Sequence, residues 1–175
     1  IVIFFIFLIC NTYYSMANSN IYIIDKLDQP GKTTQGQRWS FFTDGVMGGL
    51  SEGQAFLSSK DNIKCYQMTG NVTTENNGGF IQMRTLIKPI IKAKDYEGIY
   101  IKVYGNNKKY SLHLRTPLTL APWQYYSYTF VVKNTWSEIK APFINFKKSN
   151  VYQPTQLSKQ KIKSIGFVAG FDNFY

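Results

Sequence analysis

Apolar and polar residues alternate with a period of two along most of this chain, and that pattern limits the fold more than any other feature. It is plain in Ile63-Lys64-Cys65-Tyr66-Gln67-Met68 and in Tyr110-Ser111-Leu112-His113-Leu114-Arg115, where a strand would send alternate side chains to opposite faces. No stretch of about 12 residues holds an apolar stripe at helical spacing. Strands are expected over 21–24, 54–57, 63–68, 80–86, 99–104, 110–115, 125–132, 136–140 and 163–169. Short helical turns are expected only near 157–162 and 90–95. Many short strands separated by Gly, Asn, Pro and Lys loops predict an all-β, two-sheet antiparallel β-sandwich. The 175 residues suffice for one domain with a real core. That domain is expected over 18–175, with 18–38 as a lead strand and flexible loop, and neither repeat nor linker is visible.

Two glycine pairs interrupt the alternation: Trp39-Ser40-Phe41-Phe42-Thr43-Asp44-Gly45-Val46-Met47-Gly48-Gly49-Leu50-Ser51, and Glu75-Asn76-Asn77-Gly78-Gly79-Phe80. Adjacent glycines are costly to order, so each pair marks a loop where the backbone takes positive φ or lies close to another segment. The two loops are therefore expected to lie against each other. Asp44 is expected to accept hydrogen bonds from donors of the turn to Ser51, Met47 to plug an apolar gap, and Asn76 and Asn77 to cap an adjoining turn. Arg84 would pair with Asp44 or Glu75 if the loops meet. Two readings stand side by side, fold-defining turns or a binding surface.

Together these segments resemble the complex I intermediate-associated protein 30 family. Its pattern is a Trp, here Trp39, then Asp-x-Val-Met-Gly-Gly-x-Ser, then Glu-Asn-Asn-Gly-Gly-Phe and an Arg, here Arg84. Further blocks match at 98–105, at Tyr110-Ser111-Leu112-His113-Leu114-Arg115, at Trp136, Ile139, Pro142, Phe143 and Phe146, and at Ser164-Ile165-Gly166-Phe167. The family's Gly-Asp-Gly turn reads Gly105-Asn106-Asn107 here, and its closing strand would follow Gly170-Phe171. The resemblance implies a galactose-binding-like jelly roll and a non-enzymatic, chaperone-like role in assembly of NADH:ubiquinone oxidoreductase through protein contacts, with respiratory subunits as partners. The motif residues Trp39, Asp44, Met47, Gly48, Gly49, Ser51, Glu75, Asn76, Asn77, Gly78, Gly79, Phe80 and Arg84 are then the candidate binding surface.

Catalytic sets are not apparent. His113 is the one histidine, no carboxylate lies near it in sequence, Arg115 disfavours its protonation, and a solvated or edge-packed ring is expected. Zinc needs three or four His and Cys ligands, and after the expected signal the chain has two, Cys65 and His113, while the acids and amides of the glycine loops match no standard calcium spacing. Gly45-x-x-Gly48-Gly49 has no following Lys-Ser/Thr, so it is no phosphate loop. No metal or cofactor is expected. Cys65 is expected as a half-buried strand residue. Trp123, Tyr125, Tyr126 and Tyr128 are mostly core by this reading, but outward rings, Trp123 first, would suit sugar stacking. A periplasmic carbohydrate-binding module is therefore the alternative function, with Arg115 and Trp123 as secondary site residues.

The net charge of +10 lies wholly after residue 17. It favours anionic partners, yet the lysines occur singly or in pairs, and no basic run points to nucleic acid. Ile1 to Cys10 is an uninterrupted apolar run followed by Ser15-Met16-Ala17, which reads as a secretory signal over 1–17 lacking its basic front. The expected location is exported, periplasmic or membrane-associated, with a retained anchor as the alternative and no transmembrane span in the mature chain.

Overall fold

The computed structural model describes residues 2–3 and 21–170. The strands are β1 (Val2–Ile3), β2 (Ser40–Thr43), β3 (Glu52–Lys60), β4 (Ile63–Asn71), β5 (Phe80–Lys92), β6 (Gly98–Val103), β7 (Lys108–Arg115), β8 (Tyr126–Val132), β9 (Ser137–Pro142), β10 (Lys147–Lys148) and β11 (Lys161–Gly170). Helical structure among the described residues is limited to five short 3-10 turns. One sheet has the order β3-β4-β1-β6-β9 and the other β10-β8-β7-β11-β5-β2, and every pairing is antiparallel. The expected all-β sandwich is what the chain forms. The signal reading covers Val2 and Ile3, which pair with β4 and β6. Its remaining residues lie outside those described, as does the place of a closing strand after Phe171.

The core lies between the sheets, and the strand register shows how alternation fills it. Phe41, Met83, Phe167, Leu112 and Tyr128 form one cross-strand row of the six-stranded sheet and belong to the apolar core with Ile99, Ile101 and Val103 of the facing sheet. The neighbouring row, Ser40, Arg84, Gly166, His113, Ser127 and Lys147, crosses all six strands. Because consecutive residues of a strand face opposite ways, this row lies on the outer face.

Charge is divided unevenly between the sheets. The six-stranded sheet carries ten Lys and Arg residues, Arg84, Lys88 and Lys92 on β5, Lys108, Lys109 and Arg115 on β7, Lys147 and Lys148 on β10, Lys161 and Lys163 on β11, and no Asp or Glu. The five-stranded sheet mixes Lys60, Lys64, Lys102 and Lys140 with Glu52 and Glu138.

The lead segment departs from expectation, because residues 21–24 are not a strand. Their backbone is tied to the next loop instead: Thr34 N–H donates to the Ile24 carbonyl at 3.1 Å and Gln35 Nε2 to that of Ile23 at 3.0 Å. Ile24 and Leu27 are buried while Ile21 is exposed, so the segment plugs the sandwich with two side chains and extends neither sheet. Strand β2 was not expected, since its two phenylalanines adjoin the glycine motif. Cys65 is fully buried, deeper than expected.

Candidate functional site

Asp44 is the centre of the glycine motifs. Thr43 caps a 3-10 turn over Asp44–Met47, its hydroxyl accepting from Gly45 N–H, and Gly48 ends the turn at φ 89°. The turn points Asp44 inward, where it is completely buried. A buried carboxylate is tolerated only when donors surround it, and four do. Ser51 donates through its N–H at 2.9 Å and its hydroxyl at 2.5 Å. From the second motif, Gly79 N–H donates at 2.5 Å and Phe80 N–H at 3.3 Å. Burial pushes the carboxyl's pKa up, but the bonds from Ser51, Gly79 and Phe80 outweigh it and hold the group below its ordinary value.

The glycines follow from this packing. A Cβ on Gly49 or on Gly78 would fall inside the van der Waals shell of the Asp44 carboxylate, so only glycine lets both backbones close around it. The expectation that the loops lie against each other, with Asp44 as acceptor, holds. The Ser51 hydroxyl also accepts from Thr73 N–H at 3.1 Å, tying in the end of β4.

Other assignments need correction. Met47 plugs nothing: the turn that buries Asp44 sends the next side chains outward, leaving Val46 70%, Met47 62% and Leu50 52% exposed. Asn76 and Asn77 supply positive φ, 54° and 58°, and no side-chain hydrogen bond of theirs occurs among the described residues. Glu75 is exposed at the turn. Arg84 does not meet Asp44 or Glu75, because alternation along β5 places it on the outer sheet face, where its guanidinium sits 4.9 Å from the Phe42 ring. Trp39 is an interior post, packed on Tyr66 and Phe167, and its Nε1 donates to Asp25 Oδ2 at 2.6 Å.

The motif thus separates into an internal knot (Asp44, Gly48, Gly49, Ser51, Gly78, Gly79, Phe80) carrying an exposed apolar tip (Val46, Met47, Leu50), and an outer sheet face holding Arg84. Arg115 and Trp123 belong to that second surface. Arg115 Nη2 donates to the carbonyls of Thr119 at 2.9 Å and Ala121 at 2.7 Å, fixing the loop that presents Trp123, 66% exposed. His113 is neither solvated nor at an edge. It is buried and stacked on Tyr125 with ring centroids 3.9 Å apart. Burial pushes its pKa down to about 3, so it is a poor proton acceptor at neutral pH. Tyr126 and Tyr128 are core residues, as expected. The sequence reading missed Val46, Leu50 and Gly166. The glycine flanks signal the first two, and a lone glycine inside an apolar strand signals the third.

Among the described residues no cluster of three or more His, Cys, Asp or Glu could hold a metal ion, and no helix is long and apolar enough to cross a membrane.

No curated protein sequence matches the chain. Among solved structures it is similar to the family 11 carbohydrate-binding module of the cellulosomal cellulase Lic26A-Cel5E of Clostridium thermocellum, with TM-score 0.64 and 14% identity over 87% of this chain and 86% of that one. A family 11 module from Clostridium thermocellum in complex with a beta-1,3-1,4-mixed-linked tetrasaccharide gives TM-score 0.55 and 15% identity over 74% of this chain and 78% of that one. These likenesses show a shared galactose-binding-like jelly roll. The family model for complex I intermediate-associated protein 30 (CIA30) matches residues 28–173, spanning the Asp44 knot, the outer face and most of the core, and the chain belongs to that family.

Proposed function

We propose that this chain assists assembly of respiratory NADH:ubiquinone oxidoreductase by binding assembly intermediates, with the apolar tip of the Asp44 knot as its contact. The module itself is non-catalytic and protein-binding. One observation carries the proposal. Between Asp44 and Ser51 the polar side chains are spent on fixing the loop internally, and what that segment displays outward is Val46, Met47 and Leu50. Exposed apolar side chains held on a rigid frame suit protein docking. The apolar start of the sequence favours an exported or membrane-associated location, where membrane-bound intermediates are within reach.

The test is capture of subunits of that enzyme from the organism's own membranes by the full chain. Serine at Val46, Met47 and Leu50 should leave the fold intact and abolish capture of those subunits. Capture should also weaken with salt, because charges on the surface are screened beyond about 10 Å at 0.1 M. Undiminished capture by the triple variant would exclude the tip, and failure to recover any subunit of the enzyme would exclude the assembly role.

A second reading as a carbohydrate-binding module is favoured by Trp123, a solvent-facing indole on a pinned loop beside Arg115. It predicts salt-insensitive retention on a polysaccharide column that Trp123→Ala abolishes.

A further inference from the structure

We infer that the outer face of the six-stranded sheet, around Gly166, is a second recognition site, and that its ligand is a carboxylate-bearing segment of a protein partner. Gly166 lies in register with Arg84 on one side and His113 on the other, and Ser164, two residues earlier, pairs with Arg115. The strand between the arginines therefore contributes no side chain of its own at that point. Gln82 reaches across it, close to where a Cβ on Gly166 would stand. Cα atoms placed this way are roughly 12 Å apart, and two long side chains leaning inward can converge on one small anion.

Arginine at these positions is not an effect of composition. Of the 20 Lys and Arg residues, three are Arg, at 38, 84 and 115, and two of those three share this face. A guanidinium offers a planar fork of donors that fits a carboxylate in a way an ammonium does not. Both arginines are half-buried, and burial lowers the pKa of each, with Arg84 lowering that of Arg115 further. Two desolvated like charges oppose folding unless an anion neutralises them. Among the described residues none is supplied here: the strands of this sheet carry no Asp or Glu, and the one ion pair is Lys60 with Asp61. Arg84 has no hydrogen bond among the described residues, and Arg115 keeps Nε and Nη1 uncommitted beside the two carbonyls it holds.

The surroundings favour a peptide over a lipid surface. The guanidinium of Arg115 is tied to the loop bearing Trp123, and that of Arg84 lies 4.9 Å from the ring of Phe42, which packs edge to face on Phe80 at 6.3 Å. A protruding Glu or Asp side chain with an aromatic or aliphatic neighbour matches both features. The choice of a peptide rests on the protein-contact reading above, but the surface is distinct from the Asp44 tip.

The experiment is isothermal titration of the full chain at low salt with an acetylated and amidated hexapeptide alternating Glu and Tyr, and with its Gln-Tyr twin. The Glu peptide should bind at least about tenfold more tightly than the twin. Arg84→Gln should erase that preference without lowering the melting temperature, Arg84→Lys should restore it only in part, and Lys140→Gln on the opposite sheet should leave it unchanged. Equal binding of the twins, an unaffected R84Q, or an equal loss from K140Q would overturn the proposal. So would R84Q-sensitive binding of phosphatidylglycerol vesicles, or of a mixed-linked tetrasaccharide, with the Glu peptide silent. Failure here with respiratory subunits still captured would remove this site and leave the proposed function standing.

Discussion

Replacing Asp44 by Ala is the sharpest test of what holds the two glycine loops together. The substitution removes the acceptor of four hydrogen bonds. The Ser51 hydroxyl has the Thr73 carbonyl to turn to, at 3.2 Å, while the N–H groups of Ser51, Gly79 and Phe80 lose the acceptor they share. An orphaned buried donor costs about 1–3 kcal/mol, with Phe80, already long at 3.3 Å, at the low end. Water entering the vacated space offsets part of the loss, so a net cost of about 3–5 kcal/mol is expected. For a domain of this size that lowers Tm by roughly 6–20 °C. Asp44→Asn keeps the volume but loses the charge and one acceptor, and should cost about half as much. It also carries a pH signature. Asp44 is more acidic folded than unfolded, so its stabilisation is complete above about pH 4 and disappears as pH falls through the depressed folded value. The Asn variant should lack that acid slope. Urea unfolding from pH 2 to 7, compared at constant m, reads both effects. A loss below about 1 kcal/mol for D44A, or a D44N curve that parallels the wild type through the acid range, would refute the knot as described.

Two further outcomes follow from neighbouring geometry. Gly78→Ala should cost about 2–4 kcal/mol in wild-type protein and much less in a D44A background, because its Cβ collides with the carboxylate; additive losses in that urea-melt cycle would place the clash elsewhere. Trp39→Phe removes the donor to Asp25, a group whose pKa burial raises and this bond lowers. The folded state then holds its Asp25 proton to higher pH, so the deficit should be about 2–4 kcal/mol at pH 7 and shrink as pH drops toward 4, and a pH-independent gap would show the loss to be packing alone.

Strand positions were legible wherever alternation ran uninterrupted, as at Ile63 to Met68 and Tyr110 to Arg115, since burial of one face is a local property of sequence. Ile21 to Ile24 misled because β-branched residues favour strands only where an edge is free to receive them, and here the backbone partners are the Thr34 and Gln35 loop. In the site, Asp44 and the glycines were legible because acceptor and close-approach roles are written in residue type. Met47 was not: the turn that hides Asp44 exposes its neighbours, a consequence of three-dimensional direction. Arg84 shows the same limit: the two loops do meet, but the pleat of β5 turns its side chain away from both Asp44 and Glu75. The cationic sheet was invisible because its charges come from four strands drawn from segments far apart in the chain, each contributing two or three.

The Asp44 knot also sets an order of events. Its Gly79 bond joins residues 35 apart in sequence, and it cannot close until β2, β3 and β5 are in place, since those strands deliver Asp44, Ser51 and Phe80 to one point. Bringing those three segments together carries a loop-closure entropy cost that the bonds to Asp44 must offset. Val46, Met47 and Leu50 are thus set in their final geometry only when all three strands have met, and a chain in which they have not displays no finished tip. A partner that recognises this tip selects for completed copies of the domain, and incomplete ones are passed over without a separate proofreading step.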